Sequence, residues 1–286
     1  MDPMSTDNAS GADNQQETLS EFFYFTGFCC GEMSCSLLKL SNRKSKKGGV
    51  YYTPDITISN ADYSHLQEVN RLVCDSLGVI STIKGGYNLS FRGKKRVKKV
   101  LNFFTKYPPI AGDLARSRLF LVSKSIEVLE KQRGYRRPAS IQVNLEDIRT
   151  QFSYVKTRAV PISKFRQQVF SRDEIGHFLS GILDAEGSVG IKSSGKSRQP
   201  FVAVAMKDEK IVKLFERFFH LGHIHLRPKE KMFHYEIGAK AEVLKILNVF
   251  TKVFPVKLRK TKERIKKVQR ILNDYTLDPR IRRGMI

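Results

Sequence analysis

The sequence predicts an α+β protein made of two pseudo-symmetric repeats, each running helix–strand–strand–helix–strand–strand–helix (αββαββα). Three observations carry that prediction. A stretch of chain recurs at a fixed offset, the hydrophobic period alternates between helix-like and strand-like in the same order in both copies, and each copy opens on a small-residue helix that ends in an acid.

The run from Leu101 to Pro109 recurs from Leu247 to Pro255, with six of nine positions identical at an offset of 146. The same offset pairs Ile56–Asn60 with Val202–Met206. Further upstream, Phe25–Met33 aligns with Leu179–Gly187 at an offset of 154. The difference of eight places an insertion in the basic loop Ser41–Gly49 of the first copy. The chain therefore divides into an acidic tail over residues 1–18, expected to be disordered, a first repeat over 19–128, a connector over 129–171, and a second repeat over 172–286 ending in a basic helix. Two fused copies pack about a pseudo-two-fold axis as a homodimer would, so a monomer is expected.

In the second copy a helix is expected over residues 173–186. Val189–Ser193 and Phe201–Met206 alternate as strands. Ile211, Val212, Leu214, Phe215, Phe218 and Phe219 recur at helical spacing over Asp208–Leu221, and Gly222 follows as a stop. His223–Arg227 and Met232–Ile237 are expected strands, while Glu242–Phe250 and the strongly basic Lys260–Asn273 are expected helices. The first copy gives the same order, and the connector holds a short helix from Leu145 to Tyr154.

Charge bounds the partner. The chain of 286 residues has 51 basic and 28 acidic side chains, a formal +23, and its first twenty residues contribute only acids. Such an excess predicts a polyanion, with nucleic acid ahead of a membrane surface, because no apolar run approaches the ~18 residues of a spanning helix. Cys29, Cys30, Cys35 and Cys74 form no spaced framework, which predicts reduced thiols and an intracellular protein, in an organelle or a prokaryotic cytoplasm. The acidic start has no secretory or transit pattern.

Gly27 and Gly31 share one helix face, as do Gly181 and Ala185, so two such helices can cross closely. The crossing would bring Glu32 and Glu186 together. Paired carboxylates suit Mg²⁺ (or Mn²⁺), which keeps several waters and shares its shell with phosphate.

The nine residues Leu179-Ser180-Gly181-Ile182-Leu183-Asp184-Ala185-Glu186-Gly187 resemble the signature of the LAGLIDADG homing endonucleases at seven positions, exactly in identity or conservatively. The resemblance is to the monomeric, two-repeat type and covers roughly residues 20–128 and 172–275. It implies LAGLIDADG-like helices at the repeat interface and two sheets forming a DNA-binding saddle. It also implies metal-dependent hydrolysis of both strands of a long asymmetric double-stranded site, in an intron-encoded or free-standing enzyme. The metal ligands it implies are Glu32, Glu186 and the carbonyls of Gly31 and Ala185. Its catalytic cations map onto Lys207, Lys257 and Arg259 in the second copy, against Ala61, Ala111 and Asp113 in the first. The first motif departs from the signature at Cys30 and Met33. The expectation is therefore an impaired first-copy site and two strands cut at unequal rates. Outward-facing strand positions and hairpin cations give the expected DNA contacts: Ser36, Leu38, Thr57, Ser59 and Lys84 in the first copy, and Lys192, His225, Arg227 and Lys229 in the second. The basic runs Arg92–Lys99 and Lys257–Arg270 are expected on phosphates. Two further readings of the same residues are an RNA maturase acting on its own intron, and a DNA-binding protein of this fold with impaired cleavage.

Overall fold

The computed structural model describes residues 10–41, 50–131, 138–155, 168–194 and 197–274. The first repeat comprises α1 (Ser10–Glu32), β1 (Met33–Ser41), β2 (Val50–Asn60), α2 (Tyr63–Cys74), β3 (Val79–Ile83), β4 (Gly86–Arg92), α3 (Lys94–Lys106) and α4 (Asp113–Glu130). The connector helix is α5 (Ala139–Tyr154). The second repeat comprises α6 (Arg172–Glu186), β5 (Gly187–Ser194), β6 (Ser197–Met206), α7 (Glu209–Phe219), β7 (His223–Arg227), β8 (Met232–Ile237), α8 (Lys240–Asn248), a π turn at Val249–Val253, and α9 (Arg259–Asn273). Each repeat closes on two helices after its second hairpin, as the expected helices Glu242–Phe250 and Lys260–Asn273 give for the second copy. Pro109 and Pro255 lie between those two helices, where proline's missing N–H breaks a continuous helix.

The strand orders are β1-β2-β4-β3 and β5-β6-β8-β7, all antiparallel. Alternation sorts the faces as the sequence predicts. Cys35, Leu37, Ile56, Ile58, Leu89 and Phe91 are buried against the first repeat's helices, and Val189, Val202, Val204, Tyr235 and Ile237 against the second's. The opposite faces carry the polar side chains between them.

Helix α1 begins at Ser10, eight residues earlier than the expected end of a disordered tail. Adding Ala12, Gln15, Gln16 and Glu17 to an already packed helix costs little, because propagation is far cheaper than nucleation. Residues 1–9 lie outside the described residues, as do most of the basic loop (42–49), residues 132–137 of the connector and residues 275–286. Helix α6 starts on a capping box, with Ser171 Oγ accepting from the Glu174 amide and Glu174 accepting from the Ser171 amide. His220 takes the left-handed turn that ends α7, ahead of Gly222.

Among the described residues, no helix is long and apolar enough to cross a membrane. All four cysteines are free and buried.

Candidate active site at the helix crossing

The two motif helices, α1 and α6, pack against each other along their glycines. A Cβ on Gly27 would lie 2.0 Å from the Phe178 carbonyl oxygen, and one on Gly181 would lie 2.0 Å from the Tyr24 carbonyl oxygen and 2.6 Å from the Phe28 nitrogen. Those spaces are filled by backbone, so only glycine permits this approach. Further along, a Cβ on Gly31 would lie 2.5 Å from the Ala185 Cβ and 3.7 Å from a Glu186 carboxylate oxygen. The small-residue face read from the sequence is the contact face, and it delivers the two acids to the same end of the crossing.

Both acids sit at helix C-termini, where the helix dipole is negative and an anion is disfavoured. Burial pushes the Glu32 carboxyl up to about 7, against the pull of Asn60, whose side-chain amide donates to Glu32 Oε1 at 3.0 Å; the Glu186 charge adds to the rise. Glu186 still reaches solvent, and partial desolvation raises its carboxyl too. A bound cation would relieve both effects.

Each acid opens into its own cavity, and the cavities are built across the repeats. Glu32 lines a cavity of about 720 Å³ with Asn60 of its own repeat and Asp184, Ala185, Arg259, Lys260 and Arg264 of the other. Glu186 lines one of about 430 Å³ with Met206, Lys207 and Asp208 of its own repeat and Gly31, Cys30, Leu114 and Arg118 of the other. Each cavity thus joins one motif's acid to the residue preceding the other motif's acid, the combination expected to hold a metal. Each cavity takes a cation from the last helix of the opposite copy, Arg264 with Glu32 and Arg118 with Glu186, and Lys207 joins the Glu186 cavity from its own copy. Arg118 and Arg264 are repeat mates at the offset of 146, each one turn or more into the last helix of its repeat.

The sequence reading placed Lys207, Lys257 and Arg259 together with Glu186. The structure keeps Lys207 there and moves Arg259 to the Glu32 cavity. Lys257 lines neither cavity. Its ammonium stands 3.5 Å from Glu68 and 3.9 Å from Glu21, above the Phe25 and Tyr24 rings, so it ties the second repeat to α1 and α2. Asp113, expected to oppose catalysis if it pointed inward, pairs with Lys210 at 2.8 Å and lines neither cavity. The catalytic set read from the sequence included neither Asn60 nor Arg118 nor Arg264. The signal for the arginines was present: Arg118 and Arg264 occupy equivalent places in the aligned copies.

Asp184 of the second motif anchors the start of α9. Its Oδ2 accepts from the Lys257 amide at 2.6 Å, the Leu258 amide at 3.0 Å and the Tyr24 hydroxyl at 2.7 Å. Its Oδ1 is buried without a hydrogen-bond partner, and the residue lines the Glu32 cavity. That orphan oxygen and the desolvated carboxylates fit a hydrated divalent cation. Among the described residues no group of three His, Cys, Asp or Glu side chains converges on a metal position, so an ion here would rest on carboxylates, carbonyls and water.

Of the expected DNA contacts, Ser36, Leu38, Thr57 and Ser59 lie on the polar face of the first sheet, and Lys84 is exposed in the β3–β4 turn. Ser59 donates to Asn88 on that face. Lys192 lies on the corresponding face of the second sheet and pairs with Glu236; His225 and Arg227 stand on β7, and Lys229 is exposed in the turn beyond. Of the basic runs, Lys98 and Lys99 are committed to Glu130 and Asp75.

Residues 179–265 match the family model described as LAGLIDADG endonuclease. Solved structures extend the likeness in fold to about nine tenths of the chain. The crystal structure of the LAGLIDADG homing endonuclease I-GzeII in complex with its DNA target gives a TM-score of 0.71 at 18% identity, covering 88% of this chain and 89% of that one. The LAGLIDADG meganuclease I-CpaMI bound to uncleaved DNA gives 0.70 at 16%, covering 88% and 92%. The I-LtrWI LAGLIDADG homing endonuclease bound to target DNA gives 0.70 at 14%, covering 91% and 92%. No curated protein matches the chain. The chain has the fold of the two-repeat LAGLIDADG homing endonucleases, and its second repeat carries that family's signature.

Proposed function

We propose that this protein is a site-specific homing endonuclease that hydrolyses both strands of a long asymmetric DNA site with Mg²⁺ or Mn²⁺. The observation that carries the reading is the pair of cavities at the α1–α6 crossing, each combining one carboxylate with cations of the other repeat. Glu32 with the Ala185 carbonyl, and Glu186 with the Gly31 carbonyl, would hold the metal. Bound there, it would activate a water and offset charge on the phosphate being cut.

The chain's own residues supply the rest. Asn60 fixes the Glu32 carboxylate through its 3.0 Å hydrogen bond. Arg264 and Lys260 hold one scissile phosphate beside Glu32, and Arg118 and Lys207 hold the other beside Glu186, stabilising charge as it develops. Arg118 is braced for that task by donating to the Met33 carbonyl at 3.1 Å. The polar faces of the two sheets read the flanking bases, and the exposed lysines hold the backbone.

The test is cleavage of a plasmid library carrying randomised sites, with Mg²⁺ and then with EDTA. Linear product that appears with metal, disappears with chelator and shares one cut sequence is the expected result. Binding without cutting at any metal concentration overturns the enzyme reading and leaves a DNA-binding protein. Splicing assistance to an intron RNA, with no DNA cut, would establish the maturase reading in its place.

A further inference from the structure

The polar face of the second sheet holds a cluster that the cutting reaction does not use. His223 and His225 stand two apart on β7, and His225 is the register partner of His234 on β8. Their rings form a ladder. The His223 and His225 centroids are 5.7 Å apart with planes 27° from parallel, and those of His225 and His234 are 5.3 Å apart at 17°. His234 is 7% exposed, and its Nε2 has no hydrogen-bond partner. The nearest carboxylate oxygen, on Glu230, is 3.6 Å away, beyond hydrogen-bond length. Leaving a buried polar atom unpaired costs on the order of 1–3 kcal/mol.

The fixed charges touching this ladder cancel in pairs. Lys192 of β5 is held by Glu236 of β8, which faces His223, and Arg227 of β7 stands 3.6 Å from Glu230 of the turn. On this face β6 contributes the uncharged Ala203 and Ala205, while Lys207 at its end belongs to the Glu186 cavity. Lys229 and Lys231 are exposed in the turn at the ladder's edge. Helix α7 packs on the opposite face, against Tyr235 through Phe215. Besides these pairs and the turn lysines, the titratable groups on this face are the three imidazoles of the ladder.

We propose that His223, His225 and His234 are the specificity-determining residues for the half-site bound by the second repeat, and that this half-site is read differently by the neutral and the protonated ladder. The proposal rests on the endonuclease reading above. A neutral imidazole offers one donor and one acceptor, whereas an imidazolium only donates. Donors match the N7 and O6 acceptors of guanine in the major groove, so protonation shifts the preferred base toward guanine. Burial keeps His234 below the ordinary histidine range, with Arg227 and His225 adding to the fall and Glu230 opposing it. The free protein therefore resists protonation there, and the phosphate field of bound DNA opposes that resistance. Binding that favours the charged ladder takes up protons, and affinity rises as the solution is acidified. The first sheet has Ser36, Thr57, Ser59, Asn88 and Ser90 on its polar face and no histidine, so the effect is confined to one half-site.

The experiment lets the full-length protein select duplexes from a randomised pool long enough to span both sheets, at about pH 8 and about pH 5.5, on either side of the histidine range. The half-site altered by Arg227→Ala marks the second repeat's side. In that half the selected bases shift toward guanine at the lower pH, and the other half is unchanged. On the selected duplex the slope of log K against log salt steepens by about 1–2, since each added phosphate contact contributes about −0.9. The surface variant His223→Gln/His225→Gln loses both shifts while keeping the wild-type melting temperature. His234→Gln, checked the same way, loses part of them. Equal pH shifts in wild type and the double variant, or shifts in both halves, overturn the proposal. Selection of no duplex at either pH overturns the endonuclease reading itself.

Discussion

The two cavities at the helix crossing descend from one repeat unit yet differ in make-up. The Glu32 cavity is the larger and more polar, with Asn60, Asp62, Ser64 and four second-repeat side chains, Arg259, Lys260, Thr261 and Arg264. The Glu186 cavity is lined by Cys30, Met33, Cys35, Leu114, Phe152, Met206, Ile211 and Met232, with Lys207 and Arg118 as its cations. Because each acid meets the last helix of the other repeat, an amino-acid change in one copy is felt at the other copy's acid. The cation-poor stretch of the first copy, with Ala111 and Asp113, thus leads into the helix that meets Glu186, while Glu32 sits among Arg259, Lys260 and Arg264 of the second copy. The two cavities are therefore unequal in the cations they hold.

The sharpest way to break the comparison is to remove the acids. Glu32→Gln and Glu186→Gln should each reduce double-strand cleavage by ~100-fold or more, the size of loss that even the outer partners of a metal ligand can bring. DNA affinity should stay near wild type, because the sheets and exposed lysines carry it. Strand-specific end labels on a supercoiled plasmid would show each variant sparing a different strand. Substantial linear product from the double variant would remove both acids from the mechanism.

The crossed arrangement has its own test. Arg264→Ala should slow the same strand as Glu32→Gln, and Arg118→Ala the same strand as Glu186→Gln, each by about 10- to 100-fold if a phosphate-stabilising contact is lost. The wild-type enzyme should accumulate a nicked intermediate, with the Glu186-dependent strand cut later. If Arg264→Ala instead pairs with Glu186→Gln, the cations act within their own repeat and the crossed reading fails.

Much of this site was legible in the sequence, and what was hidden shares one cause. Gly27, Gly31, Gly181 and Ala185 announced a close helix crossing because small residues four apart share a face. Alternation sorted Ile56 and Ile58 from Thr57 and Ser59, because a strand has only two faces. The partnership between repeats was not legible. Residue order places Lys257 and Arg259 after Glu186 in the same copy, and nothing local says that the pseudo-two-fold axis hands Arg259 to Glu32 while Lys257 turns to Glu21 and Glu68. Arg118 and Arg264 were masked by the many cations around them in amphipathic helices.

A smaller effect probes the crossing itself. Gly181→Ala places a methyl group 2.0 Å from a backbone oxygen, whereas Gly190→Ala meets only the edge of the Phe201 ring, at 3.1 Å. Backbone cannot step aside as a side chain can. Gly181→Ala should cost ~3 kcal/mol, at the upper end of the usual range for overpacking, and Gly190→Ala well under half of that. Denaturant midpoints of the two variants measure the contrast. Equal midpoints would mean that the helices separate cheaply, and that the two acids are held in place by something other than this contact.

The smallest expected effect concerns one aspartate doing two jobs. Asp62 and Asp208 are repeat mates, each at the N-cap of the helix that follows the first hairpin. Asp62 caps its own helix, accepting from the His65 amide at 3.1 Å. Asp208 makes no cap bond to α7 and reaches across the repeats to accept from the Leu114 amide at 2.8 Å, at the start of α4. The reason lies in the motif. Asp184 anchors the start of α9 through the Lys257 and Leu258 amides, but its counterpart Cys30 has no oxygen to offer α4, whose own N-cap is Gly112. Asp208 supplies the missing acceptor, and burial raises its carboxyl above the usual range despite the Leu114 bond. Asp208→Ala should therefore cost ~1 kcal/mol, as loss of a helix cap does. Asp208→Asn keeps an acceptor oxygen and sheds the buried charge, so it should cost little or nothing. Because Asp208 also borders the Glu186 cavity, the alanine variant should slow the Glu186-dependent strand and leave the other unchanged. Equal destabilisation by Asn and Ala would mean that the carboxylate charge, rather than the hydrogen bond to α4, is what the fold requires.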